Sequence, residues 1–329
     1  MSLPDPSRIV DVLTAYWQSA ALAAAIELGV FTVLGNRARS GAELARLCKA
    51  DGAALVRLCD YLVAMGLLRS AHGRYRVTPA TRLLDSRLPG SLALLPRFFM
   101  GAPVVAGFAE LAALVRNGKT STARPPRWPV FARATLPLRR AEAKAIAIEL
   151  ARRGLGGGRI LDVGAGASPL GVELLRRSRA ATLVAMDRTE VLQVAREHAA
   201  AASVEDRVRT IAGDVLTADW AGPFDLVVMM NVLDYFNGPA QLQLLRKARQ
   251  TLRPGGSLVV GAPLLNPNRR SPPEAVAYDM LLLALGSTAR PATWRERRQQ
   301  LLQAGFTIVT RPAGLGIVLA RTQRARRKR

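Results

Sequence analysis

The sequence predicts an α/β protein in which a doubly wound, seven-stranded sheet follows a helical domain of winged-helix layout. Three observations carry that expectation. Apolar residues recur at helical spacing through the first part of the chain. From residue 159 the pattern changes to short apolar runs that alternate with helical segments. The first of those runs enters a glycine-bearing turn, ILDVGAGASPLG, at 160–171.

Composition bounds the rest. A chain of 329 residues, half of them hydrophobic, can bury a large core in two modest domains. The net charge is +23, from 47 basic and 24 acidic residues, and arginine supplies 42 of the basic ones. Such a surplus attracts nucleic acid, anionic membrane or acidic small molecules. Arg-rich, Ala-rich, Lys-poor usage also reflects genome composition, and the tail RTQRARRKR (321–329) reads as a solvated end. Cys48 and Cys59 are too few for a disulfide scaffold or a structural zinc site, so no metal and a reducing cytoplasm are expected. MSLPDPSRIVDV lacks a signal-peptide layout. The apolar stretch 21–35 carries Glu27, is too short for a membrane span and reads as a buried helix. His72 and His198 are the only histidines, which argues against metal-triad and Ser-His chemistry.

The N-terminal domain is placed at 1–100. AYWQSAALAAAIELGVFTVL reads as helix, Ser40 and Glu43 form a capping-box pattern, and a second helix ends at Gly66. LLRSAHGRYRVTP reads as a hairpin turning at Ala71-His72-Gly73, with His72 a turn residue. This layout suits DNA binding or dimerisation; the alanines and leucines of the helix pair favour dimerisation. A connector follows at 101–157, whose proline- and arginine-rich STARPPRWPVFARATLP precedes a helix in RAEAKAIAIELARRGLGGG. The α/β domain is placed at 158–322 and a basic tail at 323–329. Its last two strands are separated by Gly314 without a helix and should be antiparallel.

In such sheets the ligand lies beyond the carboxyl ends of the strands, at the switch point. The first strand brings Asp162, Gly164 and Gly166, whose glycines let backbone approach a ligand closely. The turn matches neither G-x-G-x-x-G nor G-x-G-x-G, because Pro169 and Ser168 stand where those patterns place glycine. The second strand ends in Asp187-Arg188, and a carboxylate there can accept both ribose hydroxyls of an adenosine. The third ends in Gly213-Asp214-Val215, where an aspartate beside a glycine can reach an adenine amino group, and the fourth in Asn231-Val232-Leu233-Asp234-Tyr235-Phe236.

These strand tips, with LRPGG at 252–256 before the fifth strand, resemble the class I methyltransferases that use S-adenosylmethionine, with their Rossmann-like sheet. ALAAAIELGVFTVL, ELARLCKADGAALVRLCDYLVAMGLL and RYRVTPA are similar to the dimerisation domain of the acetylserotonin and caffeate-type O-methyltransferases. WPVFARATLPL, VAMDRTEVLQVAREHA and NRRSPPEAVAYDMLLLAL are similar to their bacterial natural-product branch. The resemblance implies a homodimer, S-adenosylmethionine as cofactor, and a small aromatic or polyketide acceptor. It implies that Asp187 holds the ribose, Asp214 and Val215 the adenine, and that Asn231 lies near the methionine moiety. Phe131, Tyr278 and Met280 are candidate acceptor contacts, although such residues at helical spacing also suit a plain core.

The family's catalytic histidine, in patterns like L-H-D-W, aligns with Asp234. The glutamate that orients it is also missing, because Thr288-Ala289-Arg290-Pro291 stands in place of E-R-T-E. Asp234 is the candidate base, with Tyr235 as relay or ring contact, and His198 is expected at the surface. Aspartate near 3.9 and phenol near 10 leave a gap of roughly 6 units, about 8 kcal/mol uphill. Burial of the aspartate or an acidified hydroxyl narrows it. The alternatives are that Asp234 only positions a substrate donor, or is a plain carboxylate before a helix capped by Asn237. O-methylation is the leading expectation. C- or N-methylation, a non-methylating protein on this scaffold and a DNA regulator are the alternatives. RNA methylation fits less well, since Asn231-Val232-Leu233-Asp234 departs from the N-P-P-Y of base-methylating enzymes.

Overall fold

The computed structural model describes residues 6–118, 127–261 and 263–323; the tail from 324 and the connector residues 119–126 lie outside the described residues. Contacts divide the chain into two compact units, Met1–Ala102 and Pro103–Arg329.

In the first unit, α1 (Ser7–Glu27) and α2 (Val30–Leu34) are separated at Gly29, whose φ of 74° ends the first helix. The expected single buried helix at 21–35 is therefore corrected. The short α2 buries Val30, Phe31 and Leu34, whereas α1 buries only Ala25. Its residues Ile9, Leu13, Tyr16 and Trp17 are exposed in the single chain. Then come β1 (Arg39–Ser40), α3 (Gly41–Cys48), α4 (Gly52–Ala64), β2 (Leu68–Ala71), β3 (Arg74–Val77) and, further on, α5 (Leu95–Phe99). Ser40 and Glu43 close the expected capping box, and the Asp51 side chain caps α4 by accepting from the Ala54 N–H. The strands form an antiparallel sheet in the order β1-β3-β2, and His72 and Gly73 turn the hairpin at positive φ.

The second unit begins with α6 (Ala102–Ala109), α7 (Leu111–Asn117) and α8 (Trp128–Arg152). The sequence suggested that this last helix follows the proline-rich stretch; instead it starts at Trp128 and runs through Pro137. Pro129 sits in the first turn, where a missing N–H costs nothing, and Pro137 removes only one internal hydrogen bond. Burial of Ala143, Ile146, Ala147 and Leu150 holds the helix against the sheet core. The alternation continues with β4 (Arg159–Val163), α9 (Pro169–Arg177), β5 (Thr182–Asp187), α10 (Thr189–Ala201), β6 (Val208–Ala212) and β7 (Phe224–Met230). It ends with α11 (Gly238–Thr251), β8 (Leu252–Gly261), α12 (Pro273–Ala284), α13 (Trp294–Gln303), β9 (Ile308–Thr310) and β10 (Ile317–Arg321).

The seven strands lie in the order β6-β5-β4-β7-β8-β10-β9. Strands β6 through β8 are parallel, and β10 is antiparallel to both β8 and β9, as the missing crossover helix requires. LRPGG, read as the approach to the fifth strand, is already part of β8, where the pairing with β7 slips between Phe224 and Leu226. Along β4, Leu161 and Val163 pack into one core and Ile160 into the other, because helices cover both faces. The chain leaves β4 for β5 and β6, then crosses back to β7. The crevice between the β4 and β7 tips is the switch point.

Candidate active site

The turn after β4 answers the question raised by its missing glycine. Ser168 adopts φ 48°, the left-handed region, at the start of α9. Its hydroxyl donates to Asp162 Oδ2 at 2.6 Å, a strut that holds the strained residue. Gly171 makes room for that hydroxyl: a Cβ there would lie 2.4 Å from Ser168 Oγ. Asp162, expected to face the cofactor, is instead buried at 3 % exposure and is not among the cavity-lining residues. Its carboxyl is pushed up to about 7, first by burial and, against the Ser168 hydrogen bond, by the nearby charge of Asp187. The native state thus holds this proton more tightly than the unfolded chain, so stability falls as pH rises from about 4 to about 7. Asp162→Asn should remove that loss, worth up to about 4 kcal/mol. Denaturant unfolding of both proteins across the window checks this; a difference independent of pH would contradict it.

Gly164 and Gly166 sit at φ 65° and 57° beneath the cavity. A Cβ on Gly164 would lie 2.5 Å from Val232 Cγ2, so Gly164→Ala must displace the tip of β7 and strain its own backbone. We expect a melting temperature lowered by several degrees and weaker cofactor binding, read by calorimetry.

Asp187 closes β5 with its carboxylate in the cavity wall, accepting the N–H of Gly166 at 2.8 Å and that of Arg188 at 2.8 Å. Burial raises its pKa, and those two backbone hydrogen bonds act the other way. Gly213 donates its N–H to the Asp187 carbonyl, which ties the third tip to the second. Asp214 accepts from Leu216 N–H at 2.7 Å, and Arg188, Asp214 and Val215 line the same cavity. Asn231 takes φ 54° at the fourth tip and donates its N–H to the Gly261 carbonyl. The structure therefore brings Gly164, Gly166, Asp187, Arg188, Gly213, Asp214, Val215, Asn231 and Tyr235 around one cavity of roughly 230 Å³.

Helix α8 supplies the wall that sequence reasoning mostly missed. Phe131, expected to contact the acceptor, lines the cavity beside Trp128, and Arg139 and Glu142 line it about two to three turns beyond Phe131. Arg139 Nη1 pairs with Glu142 Oε2 at 3.1 Å, placing opposite charges side by side. The i, i+3 spacing was visible, but only a helix running through Pro137 aims that pair with Trp128. Trp128 meets Tyr235 edge to face at 5.0 Å.

His198 is not the surface residue expected. It is half-buried, and its Nδ1–H donates to the Ala167 carbonyl at 2.8 Å, bracing the β4 turn. Burial lowers its pKa, against the Ala167 hydrogen bond that raises it. Neither histidine lines the cavity.

Asp234 departs most from expectation. Its side chain is fully buried, outside the cavity lining, and Oδ1 accepts from Arg297 Nη2 of α13 at 2.8 Å. Gln300, itself bonded to Gln241, accepts from the same guanidinium at 2.9 Å. Asp234 Oδ2 and Arg297 Nε find no partner. Burial pushes the Asp234 carboxyl up to about 6 despite the guanidinium. The carboxylate suggested as the base thus points into an ion pair rather than at an acceptor, because α13 places Arg297 behind it. Asn237 caps α11, as expected, by accepting from Ala240 N–H. Tyr278 and Met280, on α12, are half-buried and outside the cavity lining. The Tyr278 hydroxyl is sealed from solvent beside that of Tyr235 but makes no hydrogen bond of normal geometry.

Residues 160–256 match the methyltransferase-domain family, and residues 10–87 match the O-methyltransferase dimerisation domain. The tetracenomycin polyketide 8-O-methyltransferase of Streptomyces glaucescens is 26 % identical over 94 % of each chain. A structure from the O-methyltransferase family of Nostoc punctiforme superposes with TM-score 0.90 at 28 % identity, over 97 % of this chain and all of the other. The chain belongs to the S-adenosylmethionine-dependent O-methyltransferases. Human N-acetylserotonin methyltransferase, in complex with S-adenosylmethionine, shares the fold at TM-score 0.84 and 24 % identity over 98 % of this chain and 99 % of that one.

The methyltransferase site fits this cofactor on its own geometry. Gly164 and Gly166 put bare backbone in the cavity wall, Asp187 presents an acceptor-only carboxylate, and Val215, Val232 and Phe236 offer apolar walls for a purine.

Proposed function

We propose that this methyltransferase acts on a hydroxyl of a small aromatic or polyketide-type molecule, as a homodimer joined through its N-terminal unit. One observation carries the reading: the nucleoside-sized cavity at the strand tips continues into an aromatic wall of Trp128, Phe131 and Tyr235. The relative that acts on a tetracenomycin polyketide supports the acceptor class.

In this reading Asp187 accepts the ribose hydroxyls, and Asp214 with Val215 borders the adenine. Gly164, Gly166 and Gly213 let backbone close on the nucleoside, and Arg188 flanks it. Arg139 and Glu142 match the carboxylate and ammonium of the methionine moiety, with Asn231 near it. When bound, S-adenosylmethionine supplies a methyl group made electrophilic by a positive sulfur. Trp128 and Phe131 orient a flat acceptor, which converts transfer into a nearly unimolecular step. Tyr235, held protonated by burial that pushes it up to about 12, donates a hydrogen bond. Asp234 is a positioning residue that fixes the turn carrying Tyr235.

Because the cavity offers no free base, transfer to carbon of an electron-rich ring is the second reading. Mass spectrometry of hydroxylated naphthalenes and anthraquinones after incubation with methyl-labelled donor separates the two. O-linked label is expected; label on carbon favours the second reading, and bound donor without transfer contradicts both. The exposed apolar face of α1 suits the dimer, and light scattering should give twice the chain mass.

A further inference from the structure

We infer that this methyltransferase takes its acceptor as an oxyanion already formed, so that its substrates are vinylogous acids or carbonyl-conjugated phenols ionised near neutral pH. The inference rests on the proposed acceptor site. It starts from what surrounds Tyr235, the cavity residue on the 234–236 ledge nearest the aromatic wall.

A general base needs a lone pair within hydrogen-bond reach of the acceptor proton. The titratable cavity residues are Arg139, Glu142, Asp187, Arg188, Asp214 and Tyr235. Asp187 and Asp214 belong to the adenosine end, and Glu142 is paired with Arg139. Asp234 is buried behind the ledge and held by Arg297. His198 is tied to the Ala167 carbonyl and lies outside the cavity lining. No described group is left to accept the proton.

What the ledge offers is a donor. The Tyr235 hydroxyl belongs to the cavity wall, with the solvent-sealed Tyr278 hydroxyl beside it, and burial raises both far enough to keep them protonated. The groups facing Tyr235 are Tyr278 from α12, Arg139 from α8 and Asp234 of its own turn, with Arg297 behind. A hydroxyl donor in the wall, backed by a second hydroxyl, stabilises negative charge on an acceptor oxygen. The methyl–sulfur bond then breaks as the acceptor oxygen forms its bond to the methyl carbon. The sulfur keeps the electron pair, leaving a neutral thioether and a neutral methyl ether with no proton to place. A hydroxyl of pKa about 10 is only about 0.1 % ionised at neutral pH, so such an acceptor is poor by this route.

The test uses the full chain with S-adenosylhomocysteine and two chromophores, 2-hydroxy-1,4-naphthoquinone as the acidic hydroxyl and 1-naphthol as the weak one. The quinone should bind with the spectrum of its anion down to at least one pH unit below its free pKa. Tyr235→Phe should lose that shift, and 1-naphthol should bind only as pH rises toward its own pKa. With labelled S-adenosylmethionine, turnover of each should follow its own ionisation, falling about tenfold per unit of acceptor pKa above the assay pH, and Asp234→Asn should change both turnovers by the same factor without altering that dependence on acceptor pKa. Binding of neutral 1-naphthol as tight as the quinone anion overturns the inference. So does neutral-pH turnover of 1-naphthol at the quinone's rate that Asp234→Asn abolishes. Binding of neither chromophore, with S-adenosylhomocysteine bound, overturns instead the aromatic-acceptor reading beneath it.

Discussion

Asp187→Ala should weaken S-adenosylmethionine binding at least 100-fold in calorimetry while leaving the fold intact. The carboxylate lines the cavity with both oxygens anchored by backbone N–H groups of Gly166 and Arg188, so its remaining lone pairs point in a fixed direction. Each hydrogen bond from a ribose hydroxyl to a charged group contributes about 1.5–3 kcal/mol, and two of them exceed two decades in affinity. Asp187→Asn, which keeps the shape but loses the charge, should fall between alanine and native protein. Unchanged affinity in the alanine variant would remove Asp187 from the cofactor site.

Arg297→Met should lower the melting temperature by about 10 °C. The substitution strands Asp234 in a fully buried position with neither oxygen paired, and breaking such a pair from one side costs about 3–5 kcal/mol. Removing both charges in Asp234→Leu/Arg297→Met should recover most of the loss, because the pair is imperfectly satisfied even when intact. Thermal unfolding of the two single variants and the double one closes the cycle. Additive losses would show that the two residues stabilise the fold independently.

Much of the site was legible because it is local. Each strand tip carries its functional residues within a few positions of an apolar run, and the strand order then brings Gly164, Asp187, Asp214 and Asn231 to one edge. What was not legible is orientation and distance in sequence. Asp162 stands at the same edge, but the Ser168 hydroxyl captures it, and no periodicity announces which rotamer a carboxylate takes. Arg297 lies 63 positions after Asp234, and nothing local to either residue marks the pair. The α8 contribution was hidden by Pro129 and Pro137, which read as breakers but fall where a helix tolerates them. Helix α1 was misjudged because apolar periodicity reports that a face is covered, not whether its own chain or a partner covers it.

A crystal structure of the S-adenosylhomocysteine complex tests the central claim most directly. The account predicts ribose hydroxyls on the Asp187 carboxylate, adenine beside Asp214 and Val215, and the sulfur open toward Tyr235. A nucleoside bound elsewhere, or a sulfur turned away from the Trp128–Tyr235 wall, would contradict it.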